Sequence, residues 1–598
     1  MLLAAGSWTG YFDRWVGAIL APLAMLILAG GIDDLLLIFL WLLSKRHSRR
    51  AAPADSGEKP IAVFVPLWKE HEVIGGMLDH NIHAIRYRAF HFFVGAYPND
   101  EKTVLAVRDA EARHARVHLA LCPHEGPTSK ADCLNWIYQR MLLYEEREGT
   151  RFELVVIHDA EDLIHPESLR VINRASEDCG MVQVPVLPLR TPLSDVVHGV
   201  YIDEFSEYQM KDMPARQTFG SFMPSNGVGT GFRRDALERL AETNDNRVFD
   251  PGCLTEDYEI GLRIHRMGLP QCFIPLAAAR NGLVATRELF PRGWRTAVRQ
   301  RTRWITGIAL QGWERNGWRG GWRVAYWFWR DRKGLLTCPL GLLTNLIVIY
   351  GGVTWAAARL RHAAWGLAQP GVHPFLHSWM VEATLGLAVI QIGFRAGSVA
   401  SLYGWKHAAC VPLRIPAANL INCIAAFRAM AQYASSRIHK HPLVWVKTEH
   451  AYPSREALLG HKRKLGEVLV TASWISQDDL DLALRTQPTG VRLGEHLVAL
   501  GKIEEDDLYD ALSLQQGLPA AKLAPDDISP HAARALPRRL LRQWKVLPYQ
   551  IDSGELLLAS PEIPSDEMAR ELSGCTRLSL RFHLMTPRNF RQLNESIR

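Results

Sequence analysis

Cysteine is scarce: the 598 residues hold nine, none in a CxxC spacing. No paired-cysteine motif is therefore available, and reduced, structural thiols are expected. No GxxxxGKS or GxxxxGKT occurs, which excludes a phosphate-loop ATPase. Nucleic-acid motifs are missing too, and a net charge of +7 is modest for this length. Anionic donors and a membrane surface are the expected partners, and a nucleic-acid polymer is not. No small-residue cleavage site with a basic leader precedes the apolar stretch at 16–43, so that stretch reads as an uncleaved anchor.

What is present is uneven. Charged residues make up 22% of the chain, yet 16–43 is nearly all apolar. A helix of that length runs roughly 42 Å against a hydrocarbon core of ~30 Å, so tilt or a break near Gly30-Gly31 is expected. Asp33 and Asp34 within it read as an interfacial or re-entrant end of the segment. Lys45, Arg46, Arg49 and Arg50 follow at once, whereas only Arg14 precedes, which places the chain from about residue 45 in the cytoplasm. Further spans are expected at about 335–358 and 374–394. The apolar segment at about 408–430 holds Pro412, Arg414 and Pro416 and suits an interfacial helix better than a crossing. The expected divisions are an anchor at 1–50, a cytoplasmic domain at 51–330, transmembrane and interfacial helices at 331–440, and a linker with a terminal domain at 441–598.

Residues 59–330 alternate strand and helix signals. Ile61 to Pro66, His91 to Gly95 and Leu154 to Ile157 are short apolar runs of strand character, predicting a mostly parallel sheet flanked by helices. Ligands bind at strand tips in such sheets. The third run ends on Asp159-Ala160-Glu161-Asp162. Asp159 and Glu161 are spaced to hold a Mg²⁺ or Mn²⁺ whose other ligands are water and donor phosphates, with Asp162 a further ligand or a support. The alternative for these acids is a solvated, helix-capping loop. Thr255-Glu256-Asp257 opens an amphipathic run through Ile260, Leu262, Ile264 and Met267. Its acids suit either a general base or the helix dipole. Gln300-Arg301-Thr302-Arg303-Trp304 supplies cationic and aromatic groups suited to a departing diphosphate, although a basic membrane-surface helix has similar composition.

In that order these elements resemble family-two, GT-A-fold, inverting glycosyltransferases of the processive polysaccharide-synthase type, over about 60–330 plus the membrane segments. The resemblance implies that Asp159 and Glu161 bind metal and diphosphate, and that Asp257, with Glu256 beside it, is the base. It also implies that Gln300, Arg301, Arg303 and Trp304 form the QxxRW site. Pro66 to Glu70 resembles the donor-binding strand end, and Lys130 to Asn135 the segment near the nucleotide. The usual acidic run after the second strand is here Tyr97-Pro98-Asn99-Asp100; Asp100 is the first candidate for the uracil contact and Asn99 the second. A UDP-sugar donor and a growing glycan or lipid-linked acceptor are implied.

The C-terminal region repeats itself at an offset of 28 residues. Lys464 to Gln487 and Arg492 to Gln515 agree at 12 of 24 positions, which marks an internal duplication of a helical unit. Repeated Leu, Ile and Val are ordinary core, but the basic-Leu-Gly start of each copy suggests backbone N–H groups beside a cation, suited to a phosphate. The module resembles the MshEN domain of secretion ATPases, an α+β unit that binds cyclic di-GMP. That implies contacts from Arg463, Lys464, Leu465, Gly466, Leu469, Leu480, Leu484 and Gln487 in the first copy. The second copy would add Arg492, Leu493, Gly494, Leu497, Leu508, Leu512 and Gln515. With the anchor, the transferase and Trp445 to His450, the domain order resembles the phage adsorption protein B (NfrB-like) family. This implies a bacterial inner-membrane, multi-pass protein with cytoplasmic catalytic and C-terminal domains, an exopolysaccharide product and an outer-membrane export partner. A catalytically silent scaffold or receptor component is the competing expectation.

Overall fold

The computed structural model describes residues 2–47, 57–276, 283–368, 379–441, 465–471, 474–488, 490–516, 518–552, 555–576 and 578–596. Arg463, Lys464, Ser473 and Trp445 to His450 lie outside them.

Residues 57–276 are organised by a seven-stranded sheet. Its strands are β1 (Ile61–Pro66), β2 (Phe90–Ala96), β3 (Val117–Leu121), β4 (Leu154–Ile157), β5 (Met181–Gln183), β7 (Thr230–Arg233) and β8 (Gln271–Phe273), in the order β3-β2-β1-β4-β7-β5-β8. Only β7 runs antiparallel to its neighbours. The apolar runs read as strands because both faces are covered. Along β1, Ile61, Val63 and Val65 enter one core layer, while Ala62 and Phe64 enter the other, the two-residue alternation of a pleated strand. A small parallel pair, β6 (Val186–Pro188) and β9 (Thr286–Glu288), lies beside it. The β5–β8 register brings Cys179 and Cys272 together as a disulfide with Cα atoms 6.0 Å apart, so these two depart from the expected reduced state.

Among the described residues, three helices are long and apolar enough to cross a membrane: Tyr11–Ser44, Gly334–Leu360 and Trp379–Tyr403. The first lies within one unbroken helix, Leu2–His47, so of the expected tilt or break the break at Gly30-Gly31 is not there. Gly31 serves close packing instead, since a Cβ there would fall 1.6 Å from Leu387 Cδ2 of the third span. Asp33 and Asp34 find partners on other helices. Lys333 lies 2.7 Å from Asp33, Arg330 3.1 Å from Asp34, and Gln391 Nε2 donates to Asp34 at 2.8 Å. Sheltered carboxylates persist where cations and donors face them, and here they tie the anchor to the helix Gly321–Arg332 and to the third span.

The segment expected to be interfacial forms the helix Val411–His439, continuous through Pro416. Buried Arg414 pairs with Asp203 at 2.6 Å, fastening this helix to the catalytic domain. In the terminal region the two copies form matching helix pairs, Leu465–Thr471 with Gln477–Thr486 and Leu493–Ala499 with Glu505–Gln516. Leu469, Leu480 and Ala483 share one core with their counterparts Leu497, Leu508 and Ala511. A three-stranded sheet follows, with β11 (Glu555–Ser560) between β10 (Leu547–Asp552) and β12 (Ser579–Leu584).

Candidate active site

Distant stretches of chain converge on one cavity at the sheet's carboxyl edge. Its walls include Pro66 at the end of β1 with Trp68 and Glu70 beyond it, Lys130 between β3 and β4, Asp159 and Glu161 after β4, Asn226 and Gly227 before β7, Glu256 and Asp257, Glu288 of β9, and Gln300, Arg303 and Trp304.

Lys130 stands at the centre. Ser129 caps the helix Lys130–Glu148 by accepting from Asp132 N, which aims the first residue's long stem into the cavity. Lys130 Nζ lies 2.5 Å from Asp159 Oδ1 and donates to Gly227 O at 3.2 Å. Burial opposes its charge, but Asp159, Glu256 and Asp257 outweigh that and hold the ammonium above its ordinary value.

Glu256 and Asp257 open the helix Glu256–Arg266, which buries Ile260, Leu262 and Ile264. Burial pushes the Glu256 carboxyl up to about 7, and the adjacent Asp257 adds to the rise against Lys130 and Arg303. Asp257 is also raised, first by burial, with Lys130 and the Tyr258 N–H at 2.8 Å opposing. One face of the carboxylate is fitted to glycine: a Cβ at Gly227, whose φ is +81°, would fall 2.9 Å from Asp257 Oδ2. Gly227→Ala is therefore expected to carry about 1–3 kcal/mol of backbone strain and to displace Asp257, lowering transfer more than it lowers donor binding. Paired turnover and donor-binding assays check this, and an unchanged ratio between them would refute it.

Two buried glutamines hold the loops behind this face. Gln183 Oε1 accepts from Asn226 N and Thr230 Oγ1, while its Nε2 donates to Val228 O. Gln311 accepts from Leu254 N at 3.0 Å and donates to Gly252 O at 2.9 Å. Gln311 ends a π-helical turn, Ile305–Gln311, that continues the helix Trp294–Trp304, and such turns recur at functional sites. Gly307 within it lets the turn press on Thr255, since a Cβ would lie 2.6 Å from Thr255 Oγ1.

The cavity gathers Pro66, Glu70, Lys130, Asp159, Glu161, Glu256, Asp257, Gln300, Arg303 and Trp304. Other expected residues stand elsewhere. Fully buried Asp162 lies beneath the strand tip, accepting from His158 Nδ1 at 2.7 Å and Asp159 N at 3.1 Å. Burial, then Asp159 and Glu161, push its carboxyl well up, and burial lowers His158 to about 3. Arg301 points the other way, to Glu204 at 2.6 Å and Asn422 of the helix Val411–His439. Asn135 clamps Val248 and Phe249. Asn99 exchanges two hydrogen bonds with Gly126, and Asp100 accepts from Lys69 N at 2.5 Å, holding Lys69 at a positive φ of 55°. Neither reaches the cavity. Trp68 and Tyr97 do, packed edge to face with ring centres 5.5 Å apart.

The glycines of the duplicated motif also have a packing role. A Cβ on Gly466 would lie 2.5 Å from Leu480, and on Gly494 2.4 Å from Leu508, so each glycine admits the leucine of its own copy. Arg492 is exposed immediately before the helix Leu493–Ala499.

Residues 59–307 match the family described as Glycosyltransferase like family 2, and residues 516–597 match the MshEN domain. Bacteriophage adsorption protein B of Escherichia coli K12 is 33% identical over 583 residues, covering 92% of this chain and 78% of that protein. The chain belongs to the bacteriophage adsorption protein B family. The type IV pilus assembly ATPase PilB of Myxococcus xanthus is 36% identical over 97 residues, 16% of this chain and 17% of the ATPase. Among solved structures, a mannosyltransferase from Pyrobaculum calidifontis in complex with GDP-Man and Mn²⁺ matches with a TM-score of 0.39 and 17% identity, covering 66% of this chain and 97% of its own. This chain joins a domain of glycosyltransferase family 2, helices long and apolar enough to cross a membrane, and a terminal MshEN domain.

The sequence reading passed over Asn226, Gly227, Gln183, Gln311 and Glu288. The alternating glycines of Gly227-Val228-Gly229-Thr230-Gly231 were a usable signal, because repeated glycine inside a strand pattern marks close backbone approach. Nothing local marked the glutamines.

Proposed function

We propose that this protein is an inner-membrane, inverting glycosyltransferase that moves a sugar from a UDP-sugar to a growing glycan or lipid-linked acceptor, as a processive exopolysaccharide synthase controlled by cyclic di-GMP. The observation that carries the reading is the single cavity holding an acidic strand tip, a buried lysine, a paired-carboxylate helix start and the Gln300-Arg303-Trp304 face. In this reading Asp257 takes the proton from the acceptor hydroxyl as its oxygen bonds to the anomeric carbon and the bond to UDP breaks. Lys130 and Arg303 meet the diphosphate, and the Trp68–Tyr97 pair offers an aromatic wall to the base.

Asp159 and Glu161 would hold Mg²⁺ or Mn²⁺. The fit rests on donor chemistry: both are hard oxygen donors on the cavity wall, the ligand type of a Mg²⁺ that keeps waters and phosphate oxygens as its other ligands. The bound cation would neutralise charge on the departing diphosphate. UDP release by the purified full-length protein, over a panel of UDP-sugars with and without divalent cation and cyclic di-GMP, tests the whole reading. No release from any donor would favour the scaffold alternative.

The MshEN domain and exposed Arg492 support the regulatory half. Arg492→Ala is expected to weaken cyclic di-GMP binding by about 1.5–3 kcal/mol, the scale of a charge-assisted contact, or roughly ten- to hundredfold. Basal transfer should persist. Calorimetry on wild type and variant measures this, and equal affinities would remove Arg492 from the site.

A further inference from the structure

The two copies of the terminal module use equivalent residues differently. Each copy's second helix starts with acids: Asp478 and Asp479 in Gln477–Thr486, and Glu505, Asp506 and Asp507 in Glu505–Gln516. In the first copy Asp479 stays within the module, accepting from Ser476 and pairing with Lys502 at 2.7 Å. Its counterpart Asp507 faces outward and forms an ion pair with Arg86 of the catalytic domain, while Glu504 lies 3.8 Å from the same guanidinium. The side chains of Arg86 and Asp507 are only 19% and 7% exposed, so the pair is sheltered from water. The first copy reaches the catalytic domain as well, where Arg190 Nη1 donates to Gln477 Oε1 at 3.1 Å.

Both arginines are linked by backbone hydrogen bonds to segments that contribute to the cavity. Arg86 N donates to Pro166 O at 2.9 Å, and Pro166 belongs to the loop that carries Asp159 and Glu161. Arg190 follows Leu189, whose N–H donates to the carbonyl of Glu288 at 2.8 Å, and Glu288 lines the cavity.

We infer that the duplicated module clamps the catalytic domain at Arg86 and Arg190 through the starts of its two matching helices, and that this clamp is the route by which the module's state reaches the cavity. A sheltered charge that loses its partner is left uncompensated, so the Arg86 contact is the sensitive half. A ligand shifts the site only insofar as it binds the clamped and unclamped arrangements differently. The clamp stands on geometry alone, and the route rests on the regulation proposed above.

Amide hydrogen exchange on the full chain in detergent micelles tests the clamp without any activity. Arg86→Glu, which sets a carboxylate against Asp507 and Glu504, should raise exchange across residues 505–516 by about tenfold or more. Arg86→Gln should do so to a smaller extent. Adding Asp507→Arg to Arg86→Glu should restore protection, which a misfolded variant would not show. Wild-type exchange in both single variants would overturn the clamp. The route is tested by UDP release: Arg86→Glu should keep a basal rate and lose the change that cyclic di-GMP produces in wild type. A full response alongside loosened exchange would overturn the route. A wild type that releases no UDP would count against the functional reading, and exchange would still decide the clamp.

Discussion

Replacing Asp257 with asparagine should leave donor binding intact and lower sugar transfer by about 10²- to 10⁴-fold, the range typical of general-base catalysis. Asparagine keeps the size of the side chain that fits against Gly227 and an oxygen that can accept from Tyr258 N, so the lost property is proton acceptance. The pH profile of the wild type offers a second measurement. Burial raises the Asp257 carboxyl and carries neighbouring Glu256 up to about 7. The ionised, proton-accepting fraction therefore grows as pH rises through a range above that of ordinary carboxylates, and the acid limb of turnover should lie there. The same shift gives Glu256 a sign in stability. Its proton is held more tightly in the folded chain, so its contribution is fully present below about 4.5, the ordinary value, and is lost as pH rises through about 7. Near-normal turnover in Asp257→Asn would remove the base assignment.

Asp159→Ala should abolish divalent-cation-dependent binding of the donor. One remaining carboxylate, Glu161, is a weak hold for a hydrated cation against a diphosphate, and the substitution also strips Lys130 of a partner 2.5 Å away. Lys130 then keeps Glu256 and Asp257 as its anionic neighbours. Asp159→Asn keeps the shape and separates the two effects. Calorimetry with UDP and Mn²⁺ reads binding without turnover, and donor binding by wild type that ignores the cation would overturn the role given to this strand tip.

Much of this site was legible in the chain because its parts are local. An apolar strand ending on Asp159, an acidic first turn on the amphipathic helix Glu256–Arg266 and the Gln300 to Trp304 run each announce themselves within a dozen residues. Arg301 shows where the reading stopped short. On a helix of 3.6 residues per turn, positions 300, 303 and 304 share a face and 301 does not, and Arg301 accordingly grips Glu204 and Asn422. Asn99 and Asp100 sit where a nucleotide contact was expected, but Gly126 and Lys69 N claim their side chains. A loop residue's direction depends on which backbone groups the rest of the fold leaves near it.

The alternation of apolar runs, the acids at strand and helix ends, the long apolar helices and the 28-residue duplication were determined by the sequence itself, since periodicity and residue type act over one or two turns of chain. Tertiary structure decided what each piece faces. It set Asp33 and Asp34 against Arg330, Lys333 and Gln391, turned the motif glycines toward Leu480 and Leu508, and brought Gln183 and Gln311 behind the catalytic loops. It also sent Asp507 outward to Arg86 while its twin Asp479 stayed inside. Equivalent aspartates in two copies that agree at half their positions took different ion-pair partners, because burying a charge or a hydrogen-bonding group is favourable only where a complementary group waits.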